Sequence, residues 1–132
     1  MKRIFFPAFL LLWLLLSSVV VQAQGEAFGA VRSALRNASS RELSQYFGAT
    51  VGLSFDDNRQ NYSATQAEFV MKDFFAKTAP SSFEIVHQGT SQSGVPYAIG
   101  KYNSKSGPYR VFIKMKNSNG ALRIDTMDFT KE

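Results

Sequence analysis

Apolar residues recur along this chain in two different periods, and the change from one to the other outlines the fold. Between Gly25 and Ala38, Phe28, Val31 and Leu35 stand at helical spacing with alanines beside them, while Glu26, Arg32 and Arg36 take the other side. That spacing predicts an amphipathic first helix. Ser39 or Ser40 can cap a short second helix carrying Leu43 and Phe47, and Gly48 suits the left-handed position that would end it. The period then changes. Val51, Leu53 and Phe55 alternate with Thr50, Gly52 and Ser54, as in a half-buried strand from Ala49 to Phe55, and Asp56 to Arg59 reads as a turn into a weak return strand with Tyr62. Thr65 to Glu68 has the capping-box pattern, and Phe69, Val70 and Phe74 are spaced for the buried face of a third helix, with Lys72 and Lys77 outward. Pro80 forbids its continuation.

Everything after Pro80 alternates. Phe83, Ile85 and His87 share one parity; so do Val95, Tyr97 and Ile99, then Tyr109, Val111, Ile113 and Met115, then Leu122 and Ile124. Turn residues at Gly89 to Gly94, Asn103 to Gly107 and Asn117 to Gly120 separate these runs, giving four strands of an antiparallel meander. Met127 and Phe129 have the opposite parity to Ile124, so a bulge is expected near Asp125. The predicted order is α-α-β-β-α-β-β-β-β: an α+β fold with one curved antiparallel sheet covered by three helices.

The segment before the first helix has a different character. Lys2 and Arg3 precede an apolar run from Ile4 to Val21, and Val21-Gln22-Ala23 places small residues where a signal peptidase reads them. Residues 1–23 are therefore expected to be a signal peptide cut between Ala23 and Gln24, leaving 24–132 as a single periplasmic or extracellular domain, with membrane contact only during export. This changes the meaning of the composition. The formal charge of +5 includes Lys2 and Arg3, so residues 24–132 carry +3, and the single tryptophan, Trp13, belongs to the leader. The absence of cysteine excludes disulfides, thiolate chemistry, cysteine-bound metals and a lipoprotein anchor.

The element order, with the runs NYSATQAEFVMKDFF, SSFEIVHQG, PYAIGKY and YRVFIKMK, resembles the nuclear transport factor 2-like superfamily. More closely it resembles small exported bacterial proteins grouped as domain of unknown function 4783. The resemblance spans about residues 25 to 130. It implies a cystatin-like cone whose curved sheet wraps around helices, and it implies no activity: some superfamily members isomerise steroids or dehydrate small molecules, and others bind ligands or dimerise.

The candidate chemistry is sparse. His87, the only histidine, shares parity with Phe83 and Ile85, which would turn it into the concave side of the sheet. There it would be either a general acid or base or a packed structural histidine. With Phe83, Tyr97, Tyr109 and Phe74 it outlines a candidate pocket for a small apolar ligand. A steroid-isomerase type of site needs a cavity carboxylate beside a tyrosine, and Asp125 is the acid whose parity leaves it available. No metal site is expected: Asp56, Asn58 and Gln60 imitate a calcium loop, but Asn61 stands where glycine is required. Gly89 to Gly94 lacks the lysine of a phosphate loop, and no motif calls for a cofactor.

Charge is more informative. Residues 24–84 carry a net −1 and residues 85–132 a net +4, with no acid between Glu84 and Asp125. Arg110, Lys114 and Lys116 share the outward parity of one strand, with Phe112 among them. This pattern suits either a solvated face or a surface for an acidic partner or a second copy. The excess is too small for a nucleic-acid protein. The reading favoured by the sequence is a non-enzymatic exported module that binds a small ligand or docks a protein, with homodimerisation through the basic sheet face as the alternative and catalysis by His87 or Asp125 as a lesser one.

Overall fold

A computed structural model describes residues 24–132; the expected signal peptide over 1–23 lies outside the described residues. Helix α1 runs over 24–36 and buries Phe28, Val31, Ala34 and Leu35. It stops two residues before Ala38, because Ala38 takes a left-handed conformation at φ 53°. Its N–H bonds to the Leu35 carbonyl at 3.3 Å and that of Ser39 to the Ala34 carbonyl at 3.0 Å. This is a Schellman ending, formed here without glycine.

Ser39 Oγ then accepts from the Glu42 N–H and caps α2, Ser40–Ser44. This helix is a single turn. The expected extension to Gly48 does not form, because Phe47 pairs with Ile124 and opens strand β1, Phe47–Phe55. Burying Phe47 in the sheet outweighs another turn of helix. A two-residue turn with Asp56 and Asp57 both at positive φ leads into β2, Asn58–Ser63. It is fastened to the far end of the chain: the Asp56 N–H donates to the Phe129 carbonyl, and the Asp56 carboxylate accepts from the Lys131 N–H at 2.8 Å.

Helix α3, Ala64–Lys77, begins with a capping box formed by Ser63 and Gln66, two residues before the expected Thr65 and Glu68. Glu68 instead accepts from the Ser44 hydroxyl at 2.8 Å, linking α3 to α2. Its buried stripe is Ala67, Met71 and Phe75, with Val70 and Phe74 half-buried. Phe69 was expected on this stripe but is 63% exposed, because the stripe steps from 67 to 71 to 74 and 75 and leaves position 69 on the far side.

The meander follows as β3, Pro80–Thr90, β4, Pro96–Ser104, β5, Gly107–Ser118, and β6, Ala121–Lys131. The six strands form one sheet in the order β2-β1-β6-β5-β4-β3. All neighbours are antiparallel except β1 and β6, which run parallel, so the last strand lies beside the first. The expected bulge is present: Lys114 faces Thr126 and Met115 faces Ile124, leaving Asp125 unpaired. A second shift on β3 leaves Val86 as an extra residue between Ile85 and His87. Bulges of this kind bend a strand and exchange its faces, and they help curve the sheet.

Aromatic rings fill the concave side. Phe74 of α3 has the rings of Phe55, Tyr102, Tyr109 and Phe129 within 4.9 to 5.8 Å of its centre. Phe83 packs on Tyr102, and Tyr102 donates from its hydroxyl to the Thr78 carbonyl. Burial, with Tyr109 adding to it, pushes the Tyr102 phenol far above its ordinary range. The unfolded phenol ionises near pH 10 while the folded one keeps its proton, so this contribution is intact below about pH 10 and is lost as pH rises above it. In urea melts the stability advantage of wild type over Tyr102→Phe should therefore hold up to about pH 10 and shrink progressively above it; an advantage that stays constant would refute the burial effect.

Candidate functional site

The register of the sheet assembles its uncovered outer face row by row. One row crosses all six strands as Arg59, Ser54, Asp128, Phe112, Ile99 and His87. The next runs Asn61, Gly52, Thr126, Lys114, Tyr97 and Gly89, and on the other side Thr130, Arg110, Lys101 and Glu84 form a shorter row. The centre is apolar: the Tyr97 and Phe112 rings lie 5.8 Å apart at 19°, with Ile99 beside them, and all three are half-buried with no helix of the described residues above them.

His87 and Tyr97 therefore do not line the concave side, contrary to the sequence expectation. The extra residue Val86 inverts the face of β3 between Ile85 and His87. On β4 the small residues Ala98 and Gly100 turn inward with Tyr102, because the Phe83 ring occupies the space over Gly100, and Tyr97 and Ile99 turn out. Phe83, Tyr109 and Phe74 do face the concave side, where they pack on other rings. The five expected pocket residues are thus divided between the two faces. His87 Nε2 lies 3.1 Å from the Tyr97 hydroxyl, both at the surface, and no carboxylate bonds to either. Asp125 lies 3.6 Å from Lys116 Nζ and is 39% exposed. The histidine, tyrosine and carboxylate of an isomerase-like site are not brought together.

The outer face carries both acids and cations, and most of the acids are already paired. Asp128 is held by Arg59, and Glu84 reaches the sheet edge to meet Arg32 at 3.0 Å and Arg36 at 3.7 Å. Among the described residues Lys101, Arg110 and Lys114 form no ion pair, and Lys101 stands directly opposite Arg110. Like charges placed opposite each other repel, so this pairing favours an incoming anion. A groove of about 490 Å³ lies here, lined by Ser54, Ile99, Phe112 and Thr130 together with two arginines, Arg59 and Arg110, and two acids, Asp57 and Asp128. Sequence parity found Arg110, Phe112 and Lys114 but missed Ile99, Lys101, Arg59 and Asp128. Ile99, Lys101 and Asp128 are placed by the β4–β5 and β5–β6 hairpins, whereas Arg59 arrives only through the parallel β1–β6 pairing, which leaves no local signal. Lys116 is outward on β5 as expected, yet it lies toward the strand end and is drawn to Asp125. Among the described residues no cluster of potential metal ligands occurs.

Known proteins agree with the fold. The family described as Domain of unknown function (DUF4783) matches residues 28–130. A crystal structure of a DUF4783 family protein from Bacteroides ovatus ATCC 8483 is 30% identical, with 78% of this chain and 93% of that chain covered and a TM-score of 0.74. One from Bacteroides uniformis ATCC 8492 is 25% identical, covering 79% and 95%, also at 0.74. A nuclear transport factor 2-like protein of unknown function from Shewanella baltica OS155 shares 12% identity over 85% of this chain and 93% of its own, with a TM-score of 0.63, and so shares the fold. No curated protein matches the chain. The chain belongs to the DUF4783 family, a family of unknown function, and carries the nuclear transport factor 2-like fold.

Proposed function

We propose that the protein is an exported, non-catalytic interaction module that docks an acidic protein surface on the outer face of its sheet. The observation that carries this reading is the apolar centre of Tyr97, Ile99 and Phe112 beside three cations, Lys101, Arg110 and Lys114, with no helix above it among the described residues. An apolar centre with a charged rim is the usual anatomy of a docking patch. An acidic partner fits better than a second copy of the chain. Isologous pairing would set the strip of Lys101, Arg110 and Lys114 against itself, like charge against like.

A photoreactive amino acid at position 101, introduced in the full chain in its native host, tests the reading. Crosslinking to an acidic protein is expected, with loss on Arg110→Glu and retention on Lys72→Glu, which alters the distant α3 surface. Crosslinks only to a second copy, no crosslink at all, or crosslinks indifferent to Arg110→Glu would each overturn it. Export is checked on the same preparation. Cleavage between Ala23 and Gln24 removes Trp13, so the mature protein should show no tryptophan emission, and persistent emission would contradict cleavage.

A further inference from the structure

A second open volume lies elsewhere, at the end of the sheet. A groove of about 680 Å³ runs between the start of α1, the chain before β1, and the turns joining β3 to β4 and β5 to β6. Its size falls within the roughly 300–1,000 Å³ typical of small-molecule sites. Ala27, Tyr46, Val95, Pro96 and Leu122 supply an apolar wall, and Met115 closes the floor. Tyr46 and Leu122 pack one side on the core and leave the other toward the groove. The charged groups lining it are Lys114, Lys116 and Asp125.

We propose that this groove binds a single-chain anionic amphiphile, with its tail along Tyr46, Val95, Pro96 and Leu122 and its head at Lys114 and Lys116. Both lysines are half-buried and line the groove, as long cationic side chains do when an apolar stem packs on a wall and the charged end reaches water. The Lys116 stem lies over Gly48, where an added Cβ would come within 3.0 Å of Lys116 Cε; that glycine gives the stem room against β1. Asp125 compensates one of the two cations, and its 3.6 Å separation from Lys116 Nζ exceeds hydrogen-bond length, so the ammonium retains donors for another anion. Among the described residues Lys114 forms no ion pair. The site is thus apolar along its length with a net positive edge, the complement of a fatty-acid-like carboxylate and the inverse of a cationic surfactant.

The test uses protein purified after expression of the full chain and four probes below their aggregation concentrations: dodecanoate, hexanoate, dodecanol and dodecyltrimethylammonium. Calorimetry should show dodecanoate binding at least about 100-fold more tightly than hexanoate, since each buried methylene adds affinity. Dodecanol and dodecyltrimethylammonium should each bind about 10-fold or more weakly than dodecanoate. Ala121→Trp places an indole in the groove from an exposed position and should reduce dodecanoate affinity about 10-fold or more, with the circular dichroism of the free protein unchanged. The double variant Lys114→Gln, Lys116→Gln should equalise dodecanoate and dodecanol. No binding, equal binding of the cationic probe, or affinity untouched by both variants would overturn the proposal.

Discussion

Gly100→Ala should cost about 3 kcal/mol of stability, at the upper end of what overpacking a core usually costs. Gly100 is buried on β4, and a Cβ there would lie 2.4 Å from Cζ and 2.5 Å from Cε1 of Phe83. The Phe83 ring is fully buried against Tyr102 and has no solvent-facing rotamer to retreat to. The backbone also resists, because the Glu84 carbonyl oxygen stands 3.1 Å from the same point. A ring folded over a glycine on a neighbouring strand replaces the missing side chain and fixes register at the same time. If this contact is the cause, the cost must depend on the ring. In a Phe83→Leu background Gly100→Ala should cost about 1 kcal/mol, giving a coupling of about 2 kcal/mol in a double-mutant cycle. Urea melts followed by circular dichroism measure all four proteins, and additive effects would show that the strain arises from the backbone instead.

That contact illustrates which parts of the fold were legible in the sequence. The order of elements, the four-strand meander and the bulge at Asp125 follow from hydrophobic period, turn residues and one inversion of parity. These are local signals. The extra residue at Val86 leaves no such signal, because β3 has apolar residues at 83, 85 and 86 and a polar run after them, so its alternation continues on paper while the pairing slips by one. The same blindness explains β4. Pro96, Tyr97, Ala98 and Ile99 are apolar on both faces, and only the space left by Phe83 decides that Ala98 and Gly100 turn inward. The parallel contact of β1 with β6 is a long-range choice that no window of sequence contains.

The consequences for the site follow directly. With β3 inverted at Val86 and β4 turning Ala98 and Gly100 inward, the sequence-derived pocket of Phe83, His87, Tyr97, Tyr109 and Phe74 separates into a packed interior and a His87–Tyr97 pair on the outer face. The cationic strip on β5, by contrast, survives, because the extra residue at the register shift, Asp125, is on β6 and β5 itself alternates without interruption. Alternation within a regular strand is a sound guide to facing; alternation carried across a bulge is not.

Phe129→Ala should cost about 3–5 kcal/mol, the range for removing a phenyl ring from a closed core, and it also decides whether the concave side is a pocket. Phe129 is fully buried on β6 between Phe55 and Val111 on the adjacent strands, with the rings of Phe55, Phe74 and Tyr102 within 4.9 to 6.0 Å. Its neighbours are themselves wedged against other rings, so they can collapse only partly and a dry cavity should remain. Benzene should then raise the melting temperature of Phe129→Ala in a dose-dependent way and leave wild type unmoved. The opposite pattern, a wild-type core that already responds to benzene, would mean that the rings enclose an open pocket, and small-ligand binding inside the cone would again compete with the outer face. A variant that loses stability without responding to benzene would show that the aromatic column repacks around the gap, which would place the rigidity of this interior in its backbone rather than in its rings.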